Sequence, residues 1–600
     1  MKKIFVLTVL SLCVVLSAPM ALAFQPSEAT AETSQREELE KLFDDYYRYN
    51  LEQFPTSATS LGIREYNDRL TDVSPEAYAR RAEQDKIFLN RLEAIDMSVV
   101  EGEPKVSAEI LRFILTNRVR QAPFRSWRRP FLADSGFHSN IVRTMTSAPM
   151  QTKADYENYL SRLKALPRYL DQNLDNMRTG LADGFTQPKE ILPFVLPSFE
   201  AQAVDDPEAH GLYRPFEDMP SRISSGDQKR FRKRARALIA NEILPRYAQI
   251  LAFFRDEYMP GAAETVGVSD LPDGAEYYAA QIKFYTTLED MSADDIHQIG
   301  LAEVARIRGE MNAIIQEVDF DGSFKEFQEF LRTDDQFYAP TAQELLKEAA
   351  FISKEVDGKL PAFFGKLPRQ PYSVEPVPAE IAPNYTTGRY VGAALNAARG
   401  GQYWVNTYNL KTRPLYELKA LSLHEAVPGH HLQIALSLEI EDVPSFRKGF
   451  YPHAYGEGWG LYAEALGKEM GIYKTPYDHF GRLSYEMWRA CRLVIDTGLH
   501  SIGWTRQQAL DYLADNTALS LHNVQTEVDR YIAWPGQALA YKMGELKIWE
   551  LRRRAEEALG EDFDIRAFHD AVLVSGGVPL GLLERRIDDF ITSEKAKADD

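Results

Sequence analysis

The stretch His424-Glu425-Ala426-Val427-Pro428-Gly429-His430-His431 decides how this chain is read. A helical zinc-binding signature places a His-Glu pair one turn before a second His, with the Glu as general base. Here Pro428 and Gly429 lengthen that spacing by two residues. On a regular helix His424 and His430 stand about 240° out of phase. His424 and His431 share a face but lie about 10 Å apart along the axis. Neither pair reaches one metal through bonds of about 2 Å. Proline lacks a backbone donor and clashes with the preceding turn, so Pro428-Gly429 is expected to form a bulge that absorbs the two extra residues. His430 then takes the place of the second helical His. The Gly429-His430 pair matches the Gly-His that ends many such signatures, which favours His430 over His431 as the ligand. His431 is left as a candidate for substrate contact or for support of a ligand.

Further along the chain, Gly456-Glu457-Gly458-Trp459-Gly460-Leu461-Tyr462-Ala463-Glu464 supplies the third candidate ligand, Glu457. Bulky apolar neighbours surround this carboxylate, and burying it without a partner would be costly. Gly456, Gly458 and Gly460 permit close backbone approach. Glu464 falls two turns on along the same face and is either an acceptor behind a ligand His or a plain surface residue. Two nitrogens and one oxygen leave a fourth position on zinc for water, whose pKa the metal lowers to about 7. Glu425 would take the proton of that water and pass it to the leaving amine.

The flanking sequence is helical. From Gln35, Leu39, Leu42, Phe43, Tyr46 and Tyr47 recur at helical spacing. Similar periodicity predicts long helices near 75–96, 153–179, 228–256, 292–317, 340–357, 415–437, 451–470, 475–500, 505–516, 535–559 and 577–593, with Met259-Pro260-Gly261 and Leu271-Pro272-Asp273-Gly274 as turns. One segment, residues 400–408, is aromatic and β-branched enough to read as a strand. It precedes the candidate zinc helix. An edge strand there would bind a substrate backbone by strand addition, which makes Asn406 and Thr407 candidate contacts, whereas a core strand would not. The fold class expected is mostly α: a large bilobed helical unit with a small β-sheet beside the active-site helix.

The transition state of amide hydrolysis needs an oxyanion donor besides the metal. Tyr531 and Tyr541 are the candidates, and Arg530 is a candidate for binding a carboxylate. The basic run Lys229-Arg230-Phe231-Arg232-Lys233-Arg234-Ala235-Arg236 reads as a solvated helix face.

Three motifs carry a resemblance: the His-Glu-x-x-Pro-Gly-His-His run at 424–431, Glu457 to Glu464, and Trp534-Pro535-Gly536-Gln537-Ala538-Leu539-Ala540-Tyr541-Lys542-Met543-Gly544. Together they resemble a large bacterial family long carried as a domain of unknown function and grouped with the zincin metallopeptidases, of gluzincin type. More distantly they are similar to the carboxypeptidase Taq, oligopeptidase and angiotensin-converting-enzyme families, which are mostly helical and use a glutamate third ligand. Tyr541-Lys542-Met543-Gly544 resembles a Tyr-x-x-Gly of the carboxypeptidase Taq enzymes. The resemblance implies a zincin-like fold, a zinc cofactor and short peptides as substrates.

Composition bounds the rest. The formal net charge of −19 argues against a nucleic-acid partner. Residues 1–23 read as a secretory signal: Lys2 and Lys3, an apolar stretch from Ile4 to Leu16, and Ala21-Leu22-Ala23 as the cleavage site. Leu12 precedes Cys13, so no lipobox is read. Residues 24–36 read as a disordered linker, and 37–600 as one unit with a helical part to about 290 and a catalytic part beyond it. No segment approaches the apolar length of a membrane span, and a periplasmic or secreted protein is expected. Cys491 alone follows the leader, so no intramolecular disulfide is possible. The leading function is therefore an exported zinc metallopeptidase. Its rivals are a non-catalytic peptide-binding protein with a vestigial metal site and a metal-dependent hydrolase of non-peptide amides or esters.

Overall fold

A computed structural model describes residues 28–379, 381–395 and 399–599. The leader expected at 1–23 lies outside them. The N-terminal half contains α1 (Glu28–Gln53), α2 (Pro75–Glu93), α3 (Glu103–Gln121), α4 (Lys153–Ala182), α5 (Ser225–Leu238) and α6 (Gly274–Thr286). Next come α7 (Ala293–Glu317) and α8 (Ala342–Asp357). After the sheet come α9 (Leu415–Glu425), α10 (His430–Glu439), α11 (His453–Glu469), α12 (Pro476–Thr497), α13 (Leu521–Ala533), α14 (Ala540–Leu559) and α15 (Leu580–Asp599). The protein is mostly helical with one small sheet, as the periodicity predicts.

Several helix starts are written in the sequence. Thr152 with Asp155, Ser292 with Asp295 and Thr475 with Asp478 form reciprocal capping boxes that open α4, α7 and α12. Each box satisfies two backbone N–H groups that have no partner within the helix. Other starts were concealed by loop-like residues. Gly102-Glu103-Pro104 and Pro272-Asp273-Gly274 stand at the openings of α3 and α6. Proline is tolerated in a first turn because its missing N–H would be unpaired there anyway. Of the linker expected at 24–36, residues 24–27 lie outside the described residues and the remainder is helix. Residues 28–36 belong to α1, a segment with no Gly or Pro to break it. Met259-Pro260-Gly261, expected as a turn, is the last helical turn of a run that continues α5 through two π-helical turns.

The sheet has the order β1 (Tyr372–Pro376), β3 (Gly401–Val405), β2 (Gly388–Val391). β3 pairs parallel with β1 and antiparallel with β2. The strand read from residues 400–408 is therefore central, with both edges occupied, and offers no edge for strand addition. The edge that faces α9 is β2, whose Tyr390 N–H donates to the Glu425 carboxylate at 2.8 Å.

One contiguous apolar core runs from Leu39 to Ile591. The most extensive helix contacts are α7 against α12 and α11 against α14. At the latter crossing Gly458 and Gly544 meet backbone to backbone. A Cβ on Gly458 would lie 2.5 Å from the Gly544 Cα, and one on Gly544 would lie 1.8 Å from the Ala454 carbonyl oxygen. Among the described residues no helix is long and apolar enough to cross a membrane. The basic run lies wholly on α5. Arg230 and Arg234 pair with Glu157, and Arg236 pairs with Glu208, on an exposed face.

The core holds histidines that burial keeps neutral. Burial pushes His138 and His569 down to about 3 and His210 and His500 down to about 4. In the unfolded chain these groups take protons below about pH 6.5, whereas the folded state refuses them. Their contribution is thus complete above about pH 6.5 and is lost as pH falls. Two carboxyls act oppositely: burial raises Glu417 and Asp496 to about 7, so their contribution is lost as pH rises from about 4. His431 and His479, each held down to about 4, add to these imidazoles, which together outnumber the two raised carboxyls, so stability should fall as pH drops from about 6.5 towards 4.5. Urea midpoints of chelator-treated protein at about pH 7 and about pH 5 test this. A midpoint that holds or rises on acidification would show that these groups do not govern acid stability.

Candidate metal centre

The chain between α9 and α10 departs from a bulge. The helix ends at Glu425 and restarts at His430, and Ala426–Gly429 lie outside both helices. Gly429 packs on the turn it leaves, where a Cβ would lie 1.9 Å from the His424 carbonyl oxygen and 2.4 Å from that of Leu423. Only glycine fits such an approach. The Pro428 carbonyl accepts from the Trp459 indole N–H at 2.8 Å, which ties the break to α11. The result brings the two rings together, with His424 and His430 centroids 4.6 Å apart and nearly perpendicular.

Glu457 on α11 completes the group. Its Oε2 lies 3.6 Å from His424 Nε2 and 3.5 Å from His430 Nε2. All three donor atoms lie within 4.8 Å of one another. Donors on a tetrahedral zinc with bonds of about 2.0–2.1 Å stand about 3.3 Å apart, so the two imidazole–carboxylate separations fit one ion. His424 Nδ1 meets Glu464 Oε1 at 2.8 Å, which fixes Nε2 as the atom turned toward Glu457. Arg489 backs Glu464 at 3.7 Å. Burial pushes the His424 imidazole down, but Glu457 and Glu464 more than offset this and raise it to about 10. Two carboxylates flanking one buried ring thus draw positive charge to it. Burial pushes Glu457 up, and the two imidazoles pull it well below the usual carboxylate value. Gly460 leaves space for the His424 ring, which a Cβ there would approach to 2.6 Å.

Glu425, next to the first ring, is half-buried, and its carboxylate is held by the Tyr390 N–H. Tyr541 is buried with its hydroxyl 3.5 Å from Arg530 Nη2 and its ring 4.3 Å beneath the Arg492 guanidinium. Burial and the Glu457 carboxylate push this phenol up, and Arg530 and Arg492 together bring it below its usual value. It belongs to the neighbourhood of Glu457. Arg530 also donates to Gln537 Oε1 at 2.7 Å.

Four other candidates stand elsewhere or are occupied. His431 turns to the sheet: its Nδ1 meets the Tyr390 hydroxyl at 3.1 Å, and its ring packs 4.6 Å from that of Tyr372. One residue of helix rotation, about 100°, carries it away from His424. Tyr531 is fully buried, and its hydroxyl accepts from Trp488 Nε1 and Arg492 Nε, both at 2.9 Å. It therefore supports Arg492 and does not face the cluster. Asn406 is also fully buried. Its amide donates to the carbonyls of Ala382, Tyr385 and Thr386, and its oxygen accepts from Tyr408 N–H, so its hydrogen-bonding groups pin a loop. Thr407 is half-buried just beyond the central strand β3.

Sequence reasoning missed Tyr451, whose hydroxyl donates to Glu457 Oε1 at 3.3 Å, and Tyr390. Tyr451 stands at the start of the helix predicted over 451–470 but precedes the observed α11, and nothing in its residue type marks it as a partner of Glu457. Tyr390 acts through its backbone, which no side-chain pattern reveals.

Fold and site together define a mostly helical protein with a buried His-His-Glu cluster. Residues 55–587 match a family described as a bacterial protein of unknown function, DUF885, and the chain belongs to that family. A search among curated proteins finds no match. The crystal structure of a Colwellia psychrerythraea protein assigned as a lipoprotein is similar at a TM-score of 0.87 and 29% identity, covering 93% of this chain and 100% of that one. A Shewanella oneidensis protein of unknown function, likewise assigned as a lipoprotein, shares the fold at a TM-score of 0.68 and 18% identity, with 93% and 99% coverage.

Proposed function

We propose that the protein is an exported zinc metallopeptidase of zincin type that hydrolyses short peptides. The observation that carries this reading is the convergence of His424, His430 and Glu457, with Glu464 behind the first ring and Glu425 beside it. These three side chains would hold the ion. Zinc, when bound, acidifies a water and polarises a carbonyl. Glu425, held by the Tyr390 N–H, would accept a proton from the attacking water and return it to the leaving amine. Tyr541, whose phenol proton the neighbouring guanidiniums make easier to share, would donate to the developing oxyanion. Glu464 would fix the tautomer and orientation of His424. The leader-like first 23 residues and the lipoprotein assignment of the Colwellia protein support export.

Metal content of the purified chain tests the reading. One zinc per chain is expected in the wild type, and none in His424→Ala or Glu457→Ala. Glu464→Ala should retain the site but weaken zinc affinity by about 10–100-fold. A wild-type chain that takes up no metal when zinc is supplied would instead favour the non-catalytic peptide-binding protein.

A further inference from the structure

The two oxygens of Glu457 have different partners. Oε2 faces the imidazoles, 3.6 Å from His424 Nε2 and 3.5 Å from His430 Nε2. Oε1 accepts from the Tyr451 hydroxyl at 3.3 Å, its one hydrogen bond among the described residues. A carboxylate whose oxygens are both free can close on a metal through one or both. The second oxygen would crowd the position that a catalytic zinc keeps open. Which mode is taken depends on what holds the second oxygen.

The chain on either side of Tyr451 fixes its ring. Before it runs a 3-10 turn, Ser445–Gly449, that the N-terminal helices grip. The Phe446 ring lies 5.4 Å from Phe43 and 5.7 Å from Tyr46, both on α1. Arg447, with 4% of its side chain exposed, donates to Glu103 at 2.6 Å and Ser107 at 3.0 Å on α3, and to the Ser575 carbonyl at 2.6 Å. Phe450 packs 6.1 Å from Phe113 of α3. After it, Gly456 of α11 leaves room for the phenol, which a Cβ there would approach to 2.1 Å. The hydroxyl is thus held by helices remote in sequence from Glu457.

We propose that Tyr451 is a positioning residue of the metal centre: it occupies Oε1, so that Glu457 meets zinc through Oε2 alone. The proposal rests on the zinc reading of the cluster.

Two substitutions in the full chain test it. Tyr451→Phe keeps the ring and removes the donor; the residue is 37% exposed, so the fold should be preserved. Gly456→Ala keeps the hydroxyl and displaces the ring. Zinc affinity is measured by competition with a chromogenic chelator. Each variant should bind zinc about 10–100-fold more weakly than the wild type, because the ion must then orient the carboxylate itself. Cobalt loaded in place of zinc supplies a readout that general loosening would not mimic. Its visible bands are intense in a tetrahedral site and weaken when a further oxygen joins. Intense bands are expected in the wild type and weaker ones in both variants. Wild-type affinity in the variants, or weaker binding with an unchanged cobalt spectrum, would overturn the proposal and leave the zinc centre standing. A wild-type chain that takes up neither ion would overturn both.

Discussion

Glu425→Gln should reduce peptide hydrolysis by about 10²–10⁴-fold, the usual contribution of a general base, while fold and zinc content stay as in the wild type. The substitution is conservative in this structure for a specific reason. Among the described residues the one hydrogen bond at the Glu425 carboxylate is that accepted from Tyr390 N–H at 2.8 Å. A glutamine amide oxygen can accept the same bond, so β2 keeps its hold on the end of α9. What glutamine cannot do is take a proton from water at neutral pH. The side chain also stands outside the triad whose donor atoms converge, so metal content separates loss of the base from loss of the site. A variant that binds one zinc and cleaves a peptide library at the wild-type rate would remove Glu425 from the mechanism.

Lys542→Met should cost about 3–5 kcal/mol of stability, the range for removing one partner from a buried ion pair. Lys542 Nζ lies 3.0 Å from Glu303, 2.8 Å from Glu486 and 2.6 Å from Glu545, with 1% of its side chain exposed. It thereby joins α7, α12 and α14. Glu486 keeps Arg482 and Arg306 as partners after the substitution, and Glu303 keeps Arg306. Glu545 keeps none among the described residues, and burial already pushes its carboxyl up. The cost should therefore fall on Glu545, and Lys542→Met/Glu545→Gln should recover part of the loss. Urea unfolding of both variants measures this. A single variant within about 0.5 kcal/mol of the wild type, the usual range for an inert surface change, would show that the network is replaceable.

The parts of the site that could be read from sequence are His and Glu residues clustered in two short motifs, one around His424 and one around Glu457. Motif identity singled out His424, Glu425, His430, Glu457 and Glu464, while spacing alone left His430 and His431 as alternatives. Asn406 and Tyr531 were misread because residue type says nothing about whether a polar group is already engaged. The four hydrogen bonds of Asn406 and the two accepted by Tyr531 come from segments distant in sequence or from loop backbone. His431 differs from His430 by a single step of helix rotation, which fixes its direction only once the start of α10 is known. At the level of fold, amphipathic runs located most long helices. Those opening on Pro and Gly were hidden, because the same residues serve as loop signals and as first-turn residues.

The contact of Gly458 with Gly544 has a bearing on how the site is inherited. Glu457 precedes one glycine by a single residue, and Tyr541 stands three residues before the other. Where α11 and α14 touch through bare backbone, the main chain that carries the carboxylate and the phenol is held in one block, so the spacing of their Cα atoms is set by that contact. Any replacement that adds a Cβ at either glycine would spread the block and shift both groups together, without touching a polar atom. Selection on the geometry of the cluster would then be recorded at two positions that have no chemistry of their own.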